Sequence, residues 1–210
     1  MQTCPLCEDS QIHFHFEDKL RAYFKCNSCF LIFVEQENLL ELSDEKKIYD
    51  LHENDPSDVH YQNFMNRILL PFSKYIKGEG LDFGCGPGPI ISTMINSNEA
   101  TIYEYDPIFK NHLELLERRY DFLISTEVIE HIYNSKKDFE LMLSLLKPLG
   151  ALGIMTSFYP DDMKLFKSWG YKNDPTHVRF FNERTFEWIA KKYDLDLEVP
   201  RKNVAFLKRK

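Results

Sequence analysis

No stretch of the sequence approaches the roughly 18 consecutive apolar residues of a membrane span. The opening MQTCPLCEDSQIHFHFEDK also lacks the basic segment and apolar core of a secretory signal. Neither a membrane span nor export is therefore expected, and the cytoplasm is the expected compartment. Positive charge is short as well: 26 Lys and Arg stand against 33 Asp and Glu, a formal net charge of -7. That balance disfavours broad attraction to phosphate backbones, so nucleic acid is not the expected partner. The one visibly basic stretch, PRKNVAFLKRK at the C-terminus, reads as a solvated strand end, with a local basic patch as the alternative. Cysteine is limited to five residues, which in a reducing compartment is poor evidence for disulfides. What is present excludes a disordered chain: 43% of residues are hydrophobic, with 17 Phe and 11 Tyr among them. At 210 residues the length suits one full domain and a small module.

Four of the five cysteines fall into two C-x2-C pairs, CPLC at 4–7 and CNSC at 26–29. Their spacing is that of a tetrahedral four-thiolate zinc site, which assigns Cys4, Cys7, Cys26 and Cys29 as ligands. QIHFHFED and LRAYFKC between the pairs alternate as short strands do. Residues 1–45 are accordingly expected to form a zinc ribbon. Four thiolates leave no coordination position for water, so the zinc is expected to be structural rather than catalytic, with no metal or a redox pair as the remaining alternatives. Through residue 45 nine acids stand against three bases, which favours a ribbon that shapes a pocket or an interface over one that grips RNA.

After a polar linker, DPSD signals a helix start with Ser57 or Asp58 as cap. VHYQNFMNRILLPFSKYI then places Tyr61, Phe64, Ile68 and Phe72 at helical spacing, with Pro71 expected to end or kink the helix near Leu70. LDFGCGPGPI follows, a buried strand running into a glycine-rich turn, with PIISTMINS as the next helix. Such a turn lets main chain approach a ligand and offers it amides at a helix start, although an ordinary tight connection would read alike. ATIYEYDP is a second strand that delivers Asp106 to its end, 22 residues after Gly84, where a nucleotide-binding unit places the carboxylate that meets the ribose. Glu104 competes for that role from deeper in the sheet. Strands and helices keep alternating through YDFLISTEVIEHI, LLKPLGALGIMTSFY with a turn at Pro148 and Gly150, and TFEWIAKKY. LDLEV and NVAFLKR close the chain as a hairpin, so the expected fold is α/β, a mostly parallel sheet whose last strand is antiparallel.

Taken in order, LDFGCGPG, YEYDP, YDFLISTEVIEHI, LLKPLGALGIMT and DPTHVRFFNERTFEWIAKKY resemble the motifs of class I S-adenosylmethionine-dependent methyltransferases, here with an N-terminal zinc ribbon added. The spacing G-C-G-P-G, in place of G-x-G-x-x-G, also departs from a nicotinamide-binding unit. The resemblance covers roughly residues 60–210 and implies a Rossmann-like methyltransferase domain over 46–210. It implies that Asp82 and the backbone at Gly84, Gly86 and Gly88 hold the methionine end of S-adenosylmethionine, with Cys85 a small spacer among them rather than a nucleophile. It further implies that Asp106 meets the ribose and that Ser125, Thr126 and Glu127 line the pocket beside the sulfonium. Only 13 residues separate Asp106 from Tyr120, too few for the family's usual helix, strand and helix. The sheet edge there is expected to shrink, to one short strand in HLELL, leaving the adenine wall thin.

Methyl transfer from a sulfonium needs the acceptor positioned in line and, where it is protonated, a base. His177 is the first candidate, with Asp174 to orient it; His131, Glu127 and Glu130 lie just past a strand end. A packing or capping role for either histidine is the alternative. Trp169, Tyr171 and Phe180 would close an aromatic lid over an organic acceptor or belong to the core. The acidic balance favours a small-molecule acceptor; an RNA methyltransferase and a non-catalytic cofactor-binding scaffold are the alternatives.

Overall fold

The computed structural model describes residues 2–49, 55, 57–88, 90–95 and 98–210. Strands β1 (Ile12–Glu17), β2 (Ala22–Cys26) and β3 (Ile32–Val34) form an antiparallel meander. Each cysteine pair sits on a turn closed by a left-handed residue, Glu8 at φ 61° and Phe30 at φ 64°. The Glu8 amide donates back to the Cys4 carbonyl at 2.9 Å and the Phe30 amide to the Cys26 carbonyl at 3.2 Å, a tight curl that turns both sulfurs of a pair inward.

Helix α1 (Leu42–Tyr49) and helix α2 (Val59–Phe72) follow. Asp58 caps α2 by accepting from the His60 amide at 2.8 Å. Pro71 falls in the final turn of α2, where its missing N–H removes a single bond, so the helix reaches Phe72 instead of stopping at Leu70.

The rest of the chain runs β4 (Gly78–Phe83), α3 (Ile91–Met94), β5 (Ala100–Tyr105), β6 (Tyr120–Thr126), α4 (Ser135–Ser144), β7 (Leu146–Met155), α5 (Met163–Ser168), β8 (Arg179–Phe180), α6 (Glu183–Lys192), β9 (Leu195–Arg201) and β10 (Val204–Arg209). Among the described residues the larger sheet has the order β5-β4-β6-β7-β10-β9, with β10 antiparallel to both neighbours and the remaining pairings parallel. The expected mostly parallel α/β sheet with an antiparallel last strand is the fold. Side chains alternate across it. Phe122 and Ile124 face α2, where the Phe72 ring lies 4.9 Å from Phe206, while Leu123 and Leu152 face α4 and α6 through Phe139, Met142, Phe186 and Ile189.

The N-terminal meander is not separate from this body. β3 pairs with β8, Ile32 opposite Phe180 and Phe33 opposite Arg179, so the smaller sheet has the order β1-β2-β3-β8. Leu6, Leu31 and Phe33 share a core with Phe181 and Phe186.

Four local expectations are corrected. EVIEHI forms a turn rather than a helix, and HLELL forms a 3-10 turn (Leu113–Glu117) rather than an edge strand, because 13 residues cannot reach back along β5. Pro148 and Gly150 lie inside β7, where a bulge with Leu149 at φ 63° absorbs them. The helix expected over PIISTMINS is confined to Ile91–Met94, and its residues 89, 96 and 97 fall outside the described ones.

Candidate active site

From β4 the chain crosses to β5 on one side, and the next strand, β6, lies on the other side of β4. That reversal opens a crevice at the carboxyl ends of β4 and β6. A cavity of about 670 Å³ occupies it. The glycine-rich turn forms its floor. Gly84 has φ 82°, and a Cβ there would stand 2.5 Å from Val128 Cγ2, so no other residue fits. The amides of Gly84 and Cys85 both donate to the Tyr105 carbonyl, at 2.8 and 3.1 Å, which folds the turn against the end of β5.

Asp82, Gly84, Cys85, Gly86 and Asp106 line the cavity, and so do Thr126 and Glu127. Gly88 and Ser125 do not; Ser125 is fully buried inside β6. Asp106 holds the turn together. Its Oδ2 accepts from the Gly86 amide at 3.1 Å, and its Oδ1 accepts from the Ile108 and Phe109 amides at 2.8 and 2.9 Å. Glu104 lies off the cavity, bonded to Ser92 and Lys110. Asp82 is buried with its Oδ1 unpartnered, and burial, helped by the charges of Glu104 and Asp106, pushes its carboxyl up to about 8. Burial likewise pushes the Cys85 thiol up to about 12, which suits an inert spacer and not a nucleophile.

His131, Asp174 and His177 line the opposite end of the same cavity. Glu127 closes β6 in a left-handed conformation, φ 53°, uncommon for a residue with a side chain. Its Oε2 accepts from the Tyr171 hydroxyl at 2.9 Å; that hydroxyl also bonds Glu130 Oε1. Burial raises the carboxyl of Glu127, and burial together with the Glu127 charge raises that of Glu130. Asp174 does not orient His177 as expected. Their side chains come no nearer than 3.9 Å, beyond a hydrogen bond, and Asp174 Oδ1 accepts from Thr176, while the Asp174 carbonyl accepts from the His177 amide at 3.2 Å. His177 is fixed through Nδ1, 2.7 Å from the Tyr171 carbonyl. The expected aromatic lid is also different: Phe180 is buried in the core beside Trp169, and Tyr171 lies behind the lining. The aromatic walls are Tyr49, Tyr61, Phe64, Phe83, Tyr105 and Phe109. Sequence reasoning assigned no site role to Glu45 and Tyr49 of α1, because a polar linker gives no sign of what it folds over.

At the N-terminus, Cys4 and Cys29 place their sulfurs 3.4 Å apart, as do Cys7 and Cys26, and all four sulfurs lie within 4.8 Å of one another. These distances exclude disulfides, and they bracket the ~3.8 Å sulfur edge of a tetrahedron with 2.3 Å zinc bonds. Arg21, just before β2, reaches from this module to the acceptor end. Its guanidinium donates to the carbonyls of Lys172, Asp174 and Pro175 at 2.7, 2.8 and 3.0 Å.

A family model described as a methyltransferase domain matches residues 57–198, more than half of the chain. The chain belongs to this methyltransferase family. Its class is that of the S-adenosylmethionine-dependent enzymes. No curated protein matches the sequence. Among solved structures, the N-methyltransferase NodS from Bradyrhizobium japonicum WM9 in complex with S-adenosylhomocysteine aligns with a TM-score of 0.50 at 12% identity, over 80% of this chain and 99% of that one. An O-methyltransferase family protein from Burkholderia thailandensis aligns at 0.50 and 10% identity, over 79% and 62%. The small RNA methyltransferase HEN1 aligns at 0.52 and 17% identity, over 76% of this chain. The methyltransferase spans only 26% of the HEN1 chain, and at these identities the likeness is one of fold.

Proposed function

We propose that the protein transfers a methyl group from S-adenosylmethionine to a small-molecule acceptor within this one cavity, and that a structural zinc ion held by Cys4, Cys7, Cys26 and Cys29 secures the N-terminal module. The lining carries the reading: it presents Glu45, Asp82, Asp106, Glu127, Asp138 and Asp174, and no lysine or arginine among the described lining residues. Even with Asp82 protonated and Glu45, Glu127 and Asp138 raised by burial, carboxyl groups opposed by no cation among the described lining residues favour the sulfonium and ammonium of the cofactor over a phosphate backbone.

Bound, S-adenosylmethionine supplies an electrophilic methyl group on sulfur. Asp82, with an unpartnered oxygen at the cavity wall, and the main chain at Gly84 and Gly86 suit its methionine end; Asp106 suits the ribose. Pro107, Ile108 and Phe109, held by Asp106, provide an apolar wall where the shortened sheet edge provides none. Thr126 and Glu127 stand between the two ends of the cavity. His177 carries a proton on Nδ1, since the Tyr171 carbonyl can only accept, and its ring lines the cavity as the candidate base for the acceptor's proton. The aromatic walls exclude water from the reacting groups.

Incubating zinc-loaded protein with methyl-labelled S-adenosylmethionine and separate small-metabolite and RNA fractions tests this. Label should enter the small-molecule fraction; label confined to RNA would overturn the acceptor class, and labelling of neither would favour a scaffold.

A further inference from the structure

Among the described residues none between Phe109 and Thr126 lines the cavity, although that stretch joins β5 to β6. Its 3-10 turn, Leu113–Glu117, folds into the core, where Leu115 is buried and its carbonyl accepts from the Tyr120 hydroxyl at 2.8 Å. Beyond Asp106 the connection therefore offers an adenine only Pro107, Ile108 and Phe109, whose side chains form no hydrogen bonds. Adenine carries an exocyclic amino group, and a cavity that encloses such a donor without an acceptor leaves it unsatisfied at a cost.

A second wall comes from α4. Asp138 and Leu141, one turn apart on the helix, line the cavity with Ile132 just ahead of it. Leu141 and Ile132 pack against the cluster that holds Phe83 and Tyr105, the last residues of β4 and β5. Burial raises the Tyr105 phenol, and the charges of Asp106 and Asp138 add to the rise, so both carboxylates stand near the end of β5. Of the six carboxylates in the lining, Glu45, Asp106, Glu127 and Asp174 accept hydrogen bonds from the protein. Asp82 and Asp138 remain, and Asp82 suits the methionine end of the cofactor. Asp138 is half-buried, and burial raises its carboxyl while the charge of Lys137 offsets part of the rise. No group among the described residues donates a hydrogen bond to that carboxyl.

We propose that Asp138 accepts a hydrogen bond from the adenine amino group of S-adenosylmethionine, so that α4 supplies the polar contact missing from the shortened β5–β6 connection. The inference rests on the methyltransferase reading of this cavity and adds to it a residue that selects the base. Ile132 and Leu141 beside Asp138, with Ile108 and Phe109 from the connection, suit the apolar faces of a purine. A carboxylate can only accept. A base with hydrogen in place of the amino group leaves it unpaired, and a base with a carbonyl there repels it. Selection of adenine then falls to a side chain for which no other donor in the described protein competes.

The test is calorimetric titration of the zinc-loaded full chain with S-adenosylhomocysteine and with its analogue bearing hydrogen in place of the adenine amino group. The unaltered protein should favour S-adenosylhomocysteine by about tenfold or more, the loss of one hydrogen bond to a charged group. In Asp138→Ala the two affinities should converge to within about twofold. Asp138→Asn, close in shape and keeping a carbonyl acceptor, should give a ratio between these, and it reads the same contact should the alanine variant fail to fold. A side chain that only supports the fold would weaken both ligands in proportion, so a ratio unchanged in the variants overturns the proposal. Equal binding of the two ligands by the unaltered protein overturns it as well, while leaving the cofactor in the cavity. Binding of neither ligand by the unaltered protein overturns the methyltransferase reading and the proposal with it.

Discussion

The guanidinium of Arg21 donates to the Asp174 carbonyl at 2.8 Å, joining the N-terminal module to the loop that ends in His177. The same group holds Lys172 and Pro175, and Arg21 is nearly fully buried. Arg21→Ala leaves three carbonyls without their charged donor. The loss should amount to about 2–4 kcal/mol of stability, given about 1.5–3 kcal/mol for a hydrogen bond to a charged group. Methyl transfer should fall while S-adenosylhomocysteine affinity stays within about twofold, since Arg21 touches only the acceptor end. Equal loss of both would show that the contact stabilises the fold without positioning the loop.

Metal analysis of the purified protein should give one zinc per chain. Because β3 and β8 pair and Arg21 grips the loop, chelation should disturb the acceptor end as well as the module, seen as loss of transfer and a lower melting temperature. Metal-free protein with an unchanged melting temperature would remove the zinc assignment.

Asp106→Ala should weaken cofactor binding by about tenfold or more, because it removes a carboxylate at the cavity and three bonds that shape the turn. Glu104→Ala, off the cavity, should change it far less. Calorimetry on the two variants decides, and the reverse order would move the ribose contact to Glu104.

Asp82 links stability to pH. Its carboxyl is raised in the folded chain to about 8, so the folded state holds this proton more tightly than the unfolded one. The resulting stability is complete below the unfolded pKa near 4 and is lost as pH rises through about 8. Ligand-free protein should melt at a lower temperature at pH 8.5 than at pH 6, and Asp82→Asn should flatten that difference. A wild-type melting temperature that rises over this range would contradict the raised carboxyl.

Much of this was legible in the residues. The glycine turn, Asp106 and the cysteine pairs stand out because each rests on local chemistry: positive φ at Gly84, a carboxylate closing a strand, thiols two apart. The mostly parallel sheet with its antiparallel last strand followed from alternating elements and a closing hairpin. Less legible was what distant segments do to one another. Nothing in the sequence places Arg21 on the carbonyls of residues 172–175, or Tyr49 of α1 5.3 Å from the His131 ring, since both contacts depend on how the module packs. EVIEHI reads as helix by composition, yet strong bonds from Tyr171 to Glu127 and Glu130 hold it as a turn. Asp174 near His177 in sequence suggested a pair; the Tyr171 carbonyl took that place.

The decisive measurement is calorimetric titration of zinc-loaded protein with S-adenosylmethionine and with S-adenosylhomocysteine, repeated on Asp106→Ala. One site per chain with micromolar affinity for both ligands, lost in the variant, is the expected result. No heat of binding from either ligand to the unaltered protein would contradict the placement of the cofactor in the acidic cavity between β4 and β6.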